Sequence, residues 1–361
     1  MTSAMPSTSA LSEQLPGIII GGGVFNTQMN DDPKKLPIPQ LIAKAFSVGI
    51  NAIDTSPYYG PSEELIGKAL HQPLIKDQFP RESYILATKV GRIALDEFDY
   101  SAMWVRKSVE RSLVRLHTNY LDVVFCHDVE FVSGEEVIEA FGELIELQKQ
   151  GVVRHIGISG FPTDVLTRYI KLLKEEFGRV PDVIQNYSHF NLQNTELEMY
   201  IDEWKSLGVN CILNSSPLSM GLLAGKPAAT FHPAPVGLRE RAMEVTNWLA
   251  TEKGISMPDL ALKFVISKWA ALSDRNGGGV LINGLSFIEE LDHLLQVFGE
   301  LRVRPEGVSS STLVGPNWKV NKAKMAEYEP LFEEVQKRFG QWKDYSWESP
   351  PVDFNRLNPK S

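Results

Sequence analysis

Short apolar runs alternate with amphipathic segments along most of the chain. Runs of Val, Ile and Leu bounded by turn residues predict strands, and apolar residues that recur every three to four positions predict helices. The predicted strands lie within 16–25 and at 51–54, 84–89, 120–126, 153–159, 183–186, 209–214 and 279–282. The predicted helices lie at 38–47, 61–70, 101–116, 134–150, 163–177, 195–206, 238–253, 257–269 and 287–298.

This order gives eight successive units, each made of a strand followed by a helix. Parallel strands joined by right-handed crossovers in that number close into a (β/α)8 TIM barrel, and we expect residues 14–300 to form it. A doubly wound open sheet is the alternative. It is disfavoured because the glycines at 21–23 lack the G-x-G-x-x-G spacing, and because the candidate reactive residues follow three different strands.

The two ends of the chain differ from the alternating region. Residues 1–13 are rich in Ser and Thr and lack the apolar stretch of a signal peptide, so we expect a disordered tail. Residues 301–361 contain three tryptophans and several prolines but no ninth unit. We expect this C-terminal extension to pack on the barrel as a loop across its mouth that faces the substrate, with plain surface packing as the alternative.

Composition narrows the class of protein. The apolar share is 43% and the charged share 22%, and no apolar run approaches the ~20 residues that span a bilayer. The net charge of −9 includes no basic block, so we expect neither a nucleic acid nor a membrane as a partner.

Cys126 and Cys211 lie in apolar runs, which fits buried thiols in a reducing compartment, and we expect the cytoplasm. The seven histidines are scattered, and no spacing predicts a metal site.

Four residues capable of acid–base chemistry follow three successive predicted strands. Asp54 and Tyr59 follow the second, Lys89 ends the third, and His127 follows the fourth. In a parallel barrel these strand ends meet at one mouth. A phenol beside an ammonium favours tyrosinate, which brings a pKa normally near ~10 closer to working pH and predicts proton transfer at a carbon-bound oxygen. Taken singly, each residue also has an ordinary structural role, such as a strand-end cap or a core aromatic.

Several segments, in this order, resemble the aldo-keto reductase family. NAIDTSPYYG at 51–60 resembles the family's strand with Asp and Tyr, ATKV at 87–90 its Lys strand, and LDVVFCHD at 121–128 its His strand. GVVRHIGISGF at 151–161 resembles the fifth strand, and SPL at 216–218 the loop after the seventh. Within the family, CHDVEF at 126–131 and the long tail look most like the aldose 1-dehydrogenases that act on D-arabinose or L-galactose.

The resemblance implies catalytic roles for the four residues. Tyr59 becomes the general acid and base, Asp54 and Lys89 lower its pKa, and His127 orients the reacting oxygen of the substrate. Tyr58 does not match the family's position and keeps a structural interpretation.

The resemblance also implies a nicotinamide cofactor. At the nicotinamide end, the implied contacts are the turn at Gly23, Val24 and Phe25, together with Asp54; Ser159 and Gln185 bind the carboxamide, with Gly160 beside them, and Ser215 lies near the ring. At the pyrophosphate, the implied contacts are Ser216, Leu218 and Gly221. After the eighth strand, they are Gly284, Ser286 and Glu290. Two positions depart from the family's pattern, because Gly160 stands in place of an Asn and Ser215 in place of a Tyr that stacks on the nicotinamide.

The region after the eighth strand predicts NAD rather than NADP. Family members that prefer NADP have Lys and Arg where this chain has Gly284 and Glu290. A carboxylate repels a 2′-phosphate but accepts hydrogen bonds from ribose hydroxyls. The alternative is that Glu289 and Glu290 only stabilise the N-terminus of a helix through its dipole.

Together these features predict an NAD-dependent dehydrogenase that oxidises a small-molecule aldose at C1 to the aldonolactone. An NADPH-dependent carbonyl or aldehyde reductase is the first alternative. A nucleotide-binding, redox-sensing partner subunit is the second, and the complete set of four acid–base residues disfavours it.

Overall fold

The computed structural model describes residues 10–315 and 318–356. Eight parallel strands close into a barrel in chain order, with β1 paired to both β2 and β8. The strands are β1 (Ile18–Gly21), β2 (Ala52–Asp54), β3 (Ile85–Val90), β4 (Leu121–His127), β5 (Val153–Gly160), β6 (Val183–Tyr187), β7 (Ile212–Ser215) and β8 (Leu281–Gly284). The predicted (β/α)8 barrel is confirmed.

Helices surround the barrel, and local sequence sets several of their ends. α6 begins where Ser133 and Glu136 cap each other's backbone, and α7 and α8 end at Gly178 and Gly208, whose φ angles are +67° and +114°. The α-helices of the described residues are α1 (Leu11–Gln14), α2 (Ile38–Ser47), α3 (Ser62–Leu70), α4 (Pro73–Lys76), α5 (Ala102–Arg115), α6 (Gly134–Lys149), α7 (Thr163–Phe177), α8 (Glu198–Leu207), α9 (Val236–Trp248), α10 (Met257–Ala271), α11 (Ser273–Asn276), α12 (Ile288–Leu301) and α13 (Lys322–Phe339).

β7 and β8 begin later than predicted. β7 starts at Ile212 rather than at residue 209, and β8 starts at Leu281 rather than at residue 279. The cause at β8 is the run of glycines at 277–279, whose φ angles are 81°, 114° and 65°. This left-handed backbone forms a turn and cannot pair as a strand.

Alternate strand residues fill the interior of the barrel, as the period of two requires. Ala87 on β3 and Phe125 on β4 belong to this inner apolar cluster. Leu11 and Leu15 join the same cluster and are buried. The predicted disordered tail is therefore wrong for residues 11–13, which form most of α1 because Leu11 contributes to the core; residues 1–9 lie outside the described residues.

The C-terminal extension contains regular structure that was not predicted. β9 (Arg302–Val303) pairs antiparallel with β10 (Lys319–Val320), and α13 follows. Phe332 of α13 is buried and meets Phe264 of α10 edge to face, with the ring centroids 5.2 Å apart. The expectation of a loop is wrong for the residues of α13. The apolar face of this helix packs into the outer core, and this packing outweighs the destabilising effect of Pro330 inside the helix.

Beyond α13, residues 342–356 lie across the carboxyl ends of the strands, and we call them the C-terminal strap. Gln193 Nε2 donates to the Trp342 carbonyl at 2.6 Å, and the ring of Trp347 stacks on Phe161 at 4.7 Å. Asp344 Oδ1 accepts the N–H of Thr195 at 2.8 Å. α8 begins at Glu198 and not at residue 195 as predicted, because the chain first turns through i→i−3 bonds, with the Glu198 N–H donating to the Thr195 carbonyl at 3.1 Å.

The far end of the strap reaches the loops after β3 and β4. Ser349 Oγ donates to Glu130 Oε1 at 3.0 Å, and Arg356 Nη1 donates to Glu136 Oε2 at 2.9 Å. The strap thus spans the mouth of the barrel from the β6 side to the β3 and β4 side. In the described part of the chain, no helix is both long enough and apolar enough to cross a membrane.

Candidate active site

Three of the predicted residues are the last inward-facing side chains of their strands. Asp54, Lys89 and His127 continue the alternation that Ala87 and Phe125 follow deeper in the barrel. Their exposed fractions are only 3%, 1% and 4%. The apolar interior therefore ends in a polar layer at the carboxyl ends of β2, β3 and β4, where reactive groups of such barrels lie.

Asp54 and Lys89 form a buried ion pair. Lys89 Nζ donates to Asp54 Oδ1 at 2.6 Å, to Asp54 Oδ2 at 2.8 Å and to the Thr55 carbonyl at 3.0 Å. Burial raises the pKa of Asp54 above its usual value, and the ammonium of Lys89 opposes this rise. Removing one partner would leave an uncompensated buried charge at a cost of about 3–5 kcal/mol, so each residue depends on the other.

Tyr59 lies on the turn that follows β2. Its N–H donates to the Ser56 carbonyl at 3.0 Å, which fixes the turn. Its ring centroid lies 5.1 Å from Lys89 Nζ and 5.7 Å from the His127 ring, and the two rings are perpendicular. The fold thus brings all four predicted acid–base residues together at one mouth.

Tyr59 holds its proton firmly in this arrangement. Burial, followed by the carboxylates of Asp54 and Asp128, raises the pKa of Tyr59 well above its ordinary value, and Arg92 opposes the rise. The expectation that Asp54 and Lys89 lower this pKa is wrong. A carboxylate disfavours tyrosinate, and the charge of Lys89 is neutralised by Asp54. Tyr59 is therefore a neutral phenol, and so a hydrogen-bond donor, at neutral pH.

His127 is a neutral imidazole. Burial lowers the pKa of His127 to about 3, with Lys89 and Arg92 adding to that effect and Asp128 opposing it. Ser56 Oγ lies 3.1 Å from His127 Nδ1 and also accepts the N–H of Tyr58 at 3.1 Å. Asp128 Oδ2, a carboxylate oxygen that only accepts hydrogen bonds, lies 3.5 Å from His127 Nε2. This neighbour assigns the single proton of His127 to Nε2, so that Nδ1 accepts from the Ser56 hydroxyl.

A second buried ion pair, missed by the sequence reasoning, lies beside His127. Arg92 Nη1 donates to Asp128 Oδ2, and the same oxygen is 3.5 Å from His127 Nε2. The guanidinium carbon of Arg92 lies 4.0 Å from the ring centroid of Tyr58. Asp128 directly follows His127 in the chain, which was a signal, but the pairing joins two loops and only the fold creates it.

Gln185 and Ser215 lie next to the Asp54 carboxylate, where the cofactor is expected. Gln185 Nε2 donates to Ser215 Oγ at 3.0 Å and to Asp54 Oδ1 at 3.4 Å. Gln185 Oε1 is buried and has no hydrogen-bond partner among the described residues. Ser159 pairs with Gln185 in the strand register and with His127 on its other side. An unpaired buried acceptor here fits the N–H donors of a nicotinamide carboxamide.

Gly160 leaves room for a buried carboxylate. A Cβ at this position would lie 2.7 Å from Glu130 Oε2, which is buried and has no hydrogen-bond partner among the described residues. Burial and the nearby Asp128 raise the pKa of Glu130 to about 8. An Asn at residue 160 would therefore require the end of the Glu130 side chain to move, so Gly160 and the present position of Glu130 fit each other.

Two loops offer backbone to a bound cofactor. The turn Gly22–Val24 follows β1, and a Cβ on Gly23 would lie 3.7 Å from Tyr59 Cε2, so this backbone is next to the reactive phenol. Phe25, by contrast, is fully buried and its ring is part of the core. The loop after β7 holds Ser216 at φ 57° and Gly221 at φ 100°, with open space where a Cβ of Gly221 would lie.

Leu218 and the residues after β8 complete the predicted cofactor set. Leu218 lies in the β7 loop and is partly buried against the core. Glu290 Oε2 accepts the N–H of Ser286 at 2.6 Å and of Phe287 at 3.2 Å, so its carboxylate caps the N-terminus of α12. A Cβ on Gly284 would lie 2.6 Å from Val24 Cγ1, which leaves little room for a side chain there.

No group of three or more metal-ligating side chains that would hold a metal ion is present among residues 10–315 and 318–356. The residues at the mouth are an acid, a phenol, an ammonium and a neutral imidazole. Such a set is suited to proton transfer and to hydrogen bonding at a substrate oxygen.

Comparison with known proteins identifies the family of the chain. The profile of the Aldo/keto reductase family matches residues 17–310. The chain is 41% identical over 278 residues to D-arabinose 1-dehydrogenase of Saccharomyces cerevisiae, which covers 76% of this chain and 80% of that protein. It is 35% identical over 287 residues to L-galactose dehydrogenase of Arabidopsis thaliana, covering 78% and 82%.

A solved structure supports the fold. An aldo-keto reductase from Bacillus halodurans, in its holo form, aligns with a TM-score of 0.60 over 92% of this chain and 94% of that chain, at 19% identity. The chain belongs to the aldo/keto reductase family, as its sequence motifs predicted. It is an oxidoreductase that acts on CH–OH groups, in a family that uses nicotinamide cofactors and small-molecule substrates.

Proposed function

We propose that this protein is an NAD-dependent dehydrogenase that oxidises an aldose of the D-arabinose or L-galactose type at C1, giving the aldonolactone. The observation that carries the proposal is the position of Tyr59 and His127, whose perpendicular rings lie 5.7 Å apart beside the buried Asp54–Lys89 pair. The names of the two relatives, D-arabinose 1-dehydrogenase and L-galactose dehydrogenase, support the choice of an aldose.

The chain's own residues divide the chemistry between binding and proton transfer. His127 donates from Nε2–H to the C1 oxygen of the sugar and fixes its position. Tyr59 accepts the proton of the C1 hydroxyl once its own phenol is ionised, and it returns that proton in the reverse reaction. A bound oxidised nicotinamide would supply the hydride acceptor and a positive charge that favours tyrosinate.

The raised pKa of Tyr59 sets the direction of the pH dependence. Burial, Asp54 and Asp128 disfavour tyrosinate, so the fraction of active base increases as the pH rises. Oxidation should therefore accelerate into the alkaline range, whereas reduction, which needs the phenol, should not. Lys89 acts through Asp54: by pairing with that carboxylate at 2.6 Å, it limits the negative charge that faces Tyr59.

Residues already on this mouth would hold the cofactor. Gln185 Oε1 would accept from the carboxamide, with Ser159 beside it, and the turn Gly22–Val24 and the β7 loop would contact the cofactor by their backbones. Glu290 supports NAD over NADP. Its carboxylate already occupies the N-terminus of α12, the kind of position at which a phosphate would otherwise bind.

The C-terminal strap would form the outer wall of the sugar site. Trp347 of the strap stacks on Phe161, which directly follows β5, and Phe354 lies 4.8 Å from the ring of Phe131. Such a wall would limit the access of water to the mouth and so strengthen the electrostatic interactions of Tyr59 and His127. The strap would therefore face the substrate while α13 anchors it to the barrel.

The test is turnover monitored by absorbance with NAD and with NADP against a panel of aldoses and simple aldehydes. We expect NAD-dependent oxidation of D-arabinose, L-galactose or both, with a lactone as product. Turnover confined to aldehyde reduction with NADPH would contradict the proposal in favour of a carbonyl reductase. Dinucleotide binding without turnover of any substrate would favour a partner subunit.

A further inference from the structure

The Arg92–Asp128 pair lies at the mouth of the barrel, next to the atoms that would react. Asp128 Oδ2 is 3.5 Å from His127 Nε2 and accepts from Arg92 Nη1. The side chains of Arg92 and Asp128 are only 11% and 4% exposed. Two charges withdrawn from water at this depth carry a desolvation cost, so their presence beside a substrate site needs a reason.

The backbone is bent to put Asp128 there. Neighbouring residues of a strand point to opposite faces, so the residue after His127 would ordinarily point away from it. Asp128 instead has φ 54° and ψ 59°, a left-handed conformation that few residues other than glycine adopt. This turn places the Asp128 carboxylate on the same side as the His127 imidazole. Such conformations are concentrated at functional sites.

Arg92 is held in place by aromatic rings. Its guanidinium carbon lies 4.0 Å from the ring centroid of Tyr58, 5.1 Å from that of Phe131 and 5.4 Å from that of Phe98. Arg92 Nη2 also donates to the Leu95 carbonyl at 3.3 Å. The guanidinium is therefore oriented before any ligand arrives, which reduces the entropy lost on binding.

We propose that Arg92 and Asp128 form the subsite that recognises the hydroxyl on C2, the carbon next to the one oxidised. This inference rests on the proposed function. Asp128 Oδ2 is only 3.5 Å from His127 Nε2. When His127 Nε2 binds the C1 oxygen of the sugar, the hydroxyl on the adjacent carbon therefore lies next to Asp128. A hydroxyl both donates and accepts, so it can donate to the carboxylate while accepting from the guanidinium.

The subsite gives a reason for selectivity among sugars. A site built to bind a hydroxyl rejects an analogue that lacks it, because its own buried polar groups are then left unpaired. Charged partners make this discrimination strong, since a hydrogen bond to a charged group is worth about tenfold to a hundredfold in affinity. A simple aldehyde without a C2 hydroxyl would be a poor substrate for the same reason.

Three pentoses isolate the C2 hydroxyl. D-Arabinose and D-ribose differ only in configuration at C2, and 2-deoxy-D-ribose lacks the C2 hydroxyl. L-Galactose, L-talose and 2-deoxy-L-galactose form the equivalent hexose series. The measurement is kcat/KM for each sugar with NAD, in wild type and in the variants Asp128→Asn and Arg92→Lys. These variants keep the size or the charge of the side chain, and NAD affinity is measured alongside as a check on folding.

A matched control exists at the other end of the same strand. Asp122 of β4 is buried and binds Arg81 Nη2 at 2.6 Å, and the Arg81 guanidinium lies 4.0 Å from the ring centroid of Tyr120. Asp122→Asn thus removes a similar ion pair remote from the mouth. We expect it to change the stability of the fold but to leave the preference among the three sugars unchanged.

We expect wild type to prefer one sugar of a series over its 2-deoxy analogue, and each variant to lose at least about tenfold of that preference. A purely structural role would lower kcat/KM equally for all three sugars and overturn the inference. So would a wild type that turns over the three sugars within about twofold, whether or not the variants fold. Absence of turnover of every aldose by wild type would instead overturn the proposed function, and the inference with it.

Discussion

Ser56 Oγ lies 3.1 Å from His127 Nδ1, and the same oxygen accepts the N–H of Tyr58 at 3.1 Å. Asp128 Oδ2, 3.5 Å from His127 Nε2, only accepts hydrogen bonds, so it favours a proton on Nε2 and leaves Nδ1 to accept from the Ser56 hydroxyl. Since burial lowers the pKa of His127 to about 3, the ring is neutral and carries one proton. A serine outside the predicted set thereby holds Nδ1, while the proton of His127 lies on Nε2, next to Asp128.

The first prediction concerns this serine. Ser56→Ala should let His127 populate both tautomers and should lower kcat/KM by about tenfold, because a hydrogen bond to the substrate oxygen is lost in part. The tautomer is measured by ¹⁵N NMR of histidine-labelled protein. Ser112→Ala, which removes another buried hydroxyl from a site remote on α5, should leave activity unchanged. An Nδ1–H tautomer in wild type would contradict the assignment.

The second prediction concerns Glu130, which accepts from Ser349 of the C-terminal strap. Burial and Asp128 raise the pKa of Glu130 to about 8, above the unfolded value near ~4.3. The folded state therefore binds more protons between these values, so the stabilising contribution of Glu130 is present at low pH and is lost as the pH rises towards 8. Glu130→Gln should remove this trend.

The measurement is the midpoint of thermal unfolding, compared between wild type and Glu130→Gln from pH 5 to pH 9. As the pH rises, the midpoint of thermal unfolding of Glu130→Gln should increase relative to that of wild type. Glu136→Gln is the control, because Glu136 also binds the strap through Arg356 but has a pKa below its usual value. Burial alone would raise the pKa of Glu136, but the hydrogen bond from Arg356 outweighs burial and lowers it. The difference in unfolding midpoint between Glu136→Gln and wild type should therefore stay constant from pH 5 to pH 9. A constant offset for Glu130→Gln as well would contradict the assignment of a neutral Glu130.

The third prediction concerns the choice of dinucleotide. Glu290→Gln keeps an acceptor for the N–H groups of Ser286 and Phe287 but removes the negative charge. The dissociation constant for NADP should fall by about tenfold while that for NAD changes little, since only the 2′-phosphate is repelled. Glu289→Gln, one residue earlier in α12, should have the smaller effect. Wild type that binds NADP more tightly than NAD would refute NAD preference.

Position 284 is a poor place to install a phosphate-binding lysine. A Cβ there would lie 2.6 Å from Val24 Cγ1, so the Val24 side chain or the turn after β1 would have to move. An alignment of Gly284 with the corresponding residues of other family members does not reveal this contact. The variant at Glu290 is therefore the cleaner test of the same idea.

The fold and the four acid–base residues could be read from the sequence because both depend on short-range patterns. Apolar runs that stop at Asp54, Lys89 and His127 mark strand ends, and strand ends of a parallel barrel converge. The sign of the pKa shift at Tyr59 was predicted wrongly. Sequence order shows that an ammonium is near, but not that Asp54 neutralises it or that the phenol is buried.

The features that the sequence analysis missed are pairings between distant loops. Arg92 and Asp128 are 36 positions apart, and neither neighbourhood alone indicates an ion pair. The C-terminal extension was harder still, because α13 contains Pro330 and its apolar face is weakly patterned. Its helix is stabilised by packing against α9, α10 and α12, a tertiary effect that overrides local propensity.

The fourth prediction concerns Tyr59, on which the proposed chemistry depends. Tyr59→Phe keeps the ring that lies 5.1 Å from Lys89 Nζ but removes the only group assigned to proton transfer. The fold and the affinity for NAD should be unchanged, while kcat should fall by at least about a hundredfold. Tyr58→Phe, which keeps the ring against Arg92, should reduce kcat far less.

The most direct test is the steady-state kcat for NAD-dependent oxidation of the preferred aldose by wild type and Tyr59→Phe, measured from pH 6 to pH 10. We predict a wild-type rate that rises with pH as Tyr59 ionises, and a Phe variant that is slow at every pH while still binding NAD. A Phe variant that turns over within a few-fold of wild type, with the same rise in rate, would contradict the assignment of Tyr59 as the base.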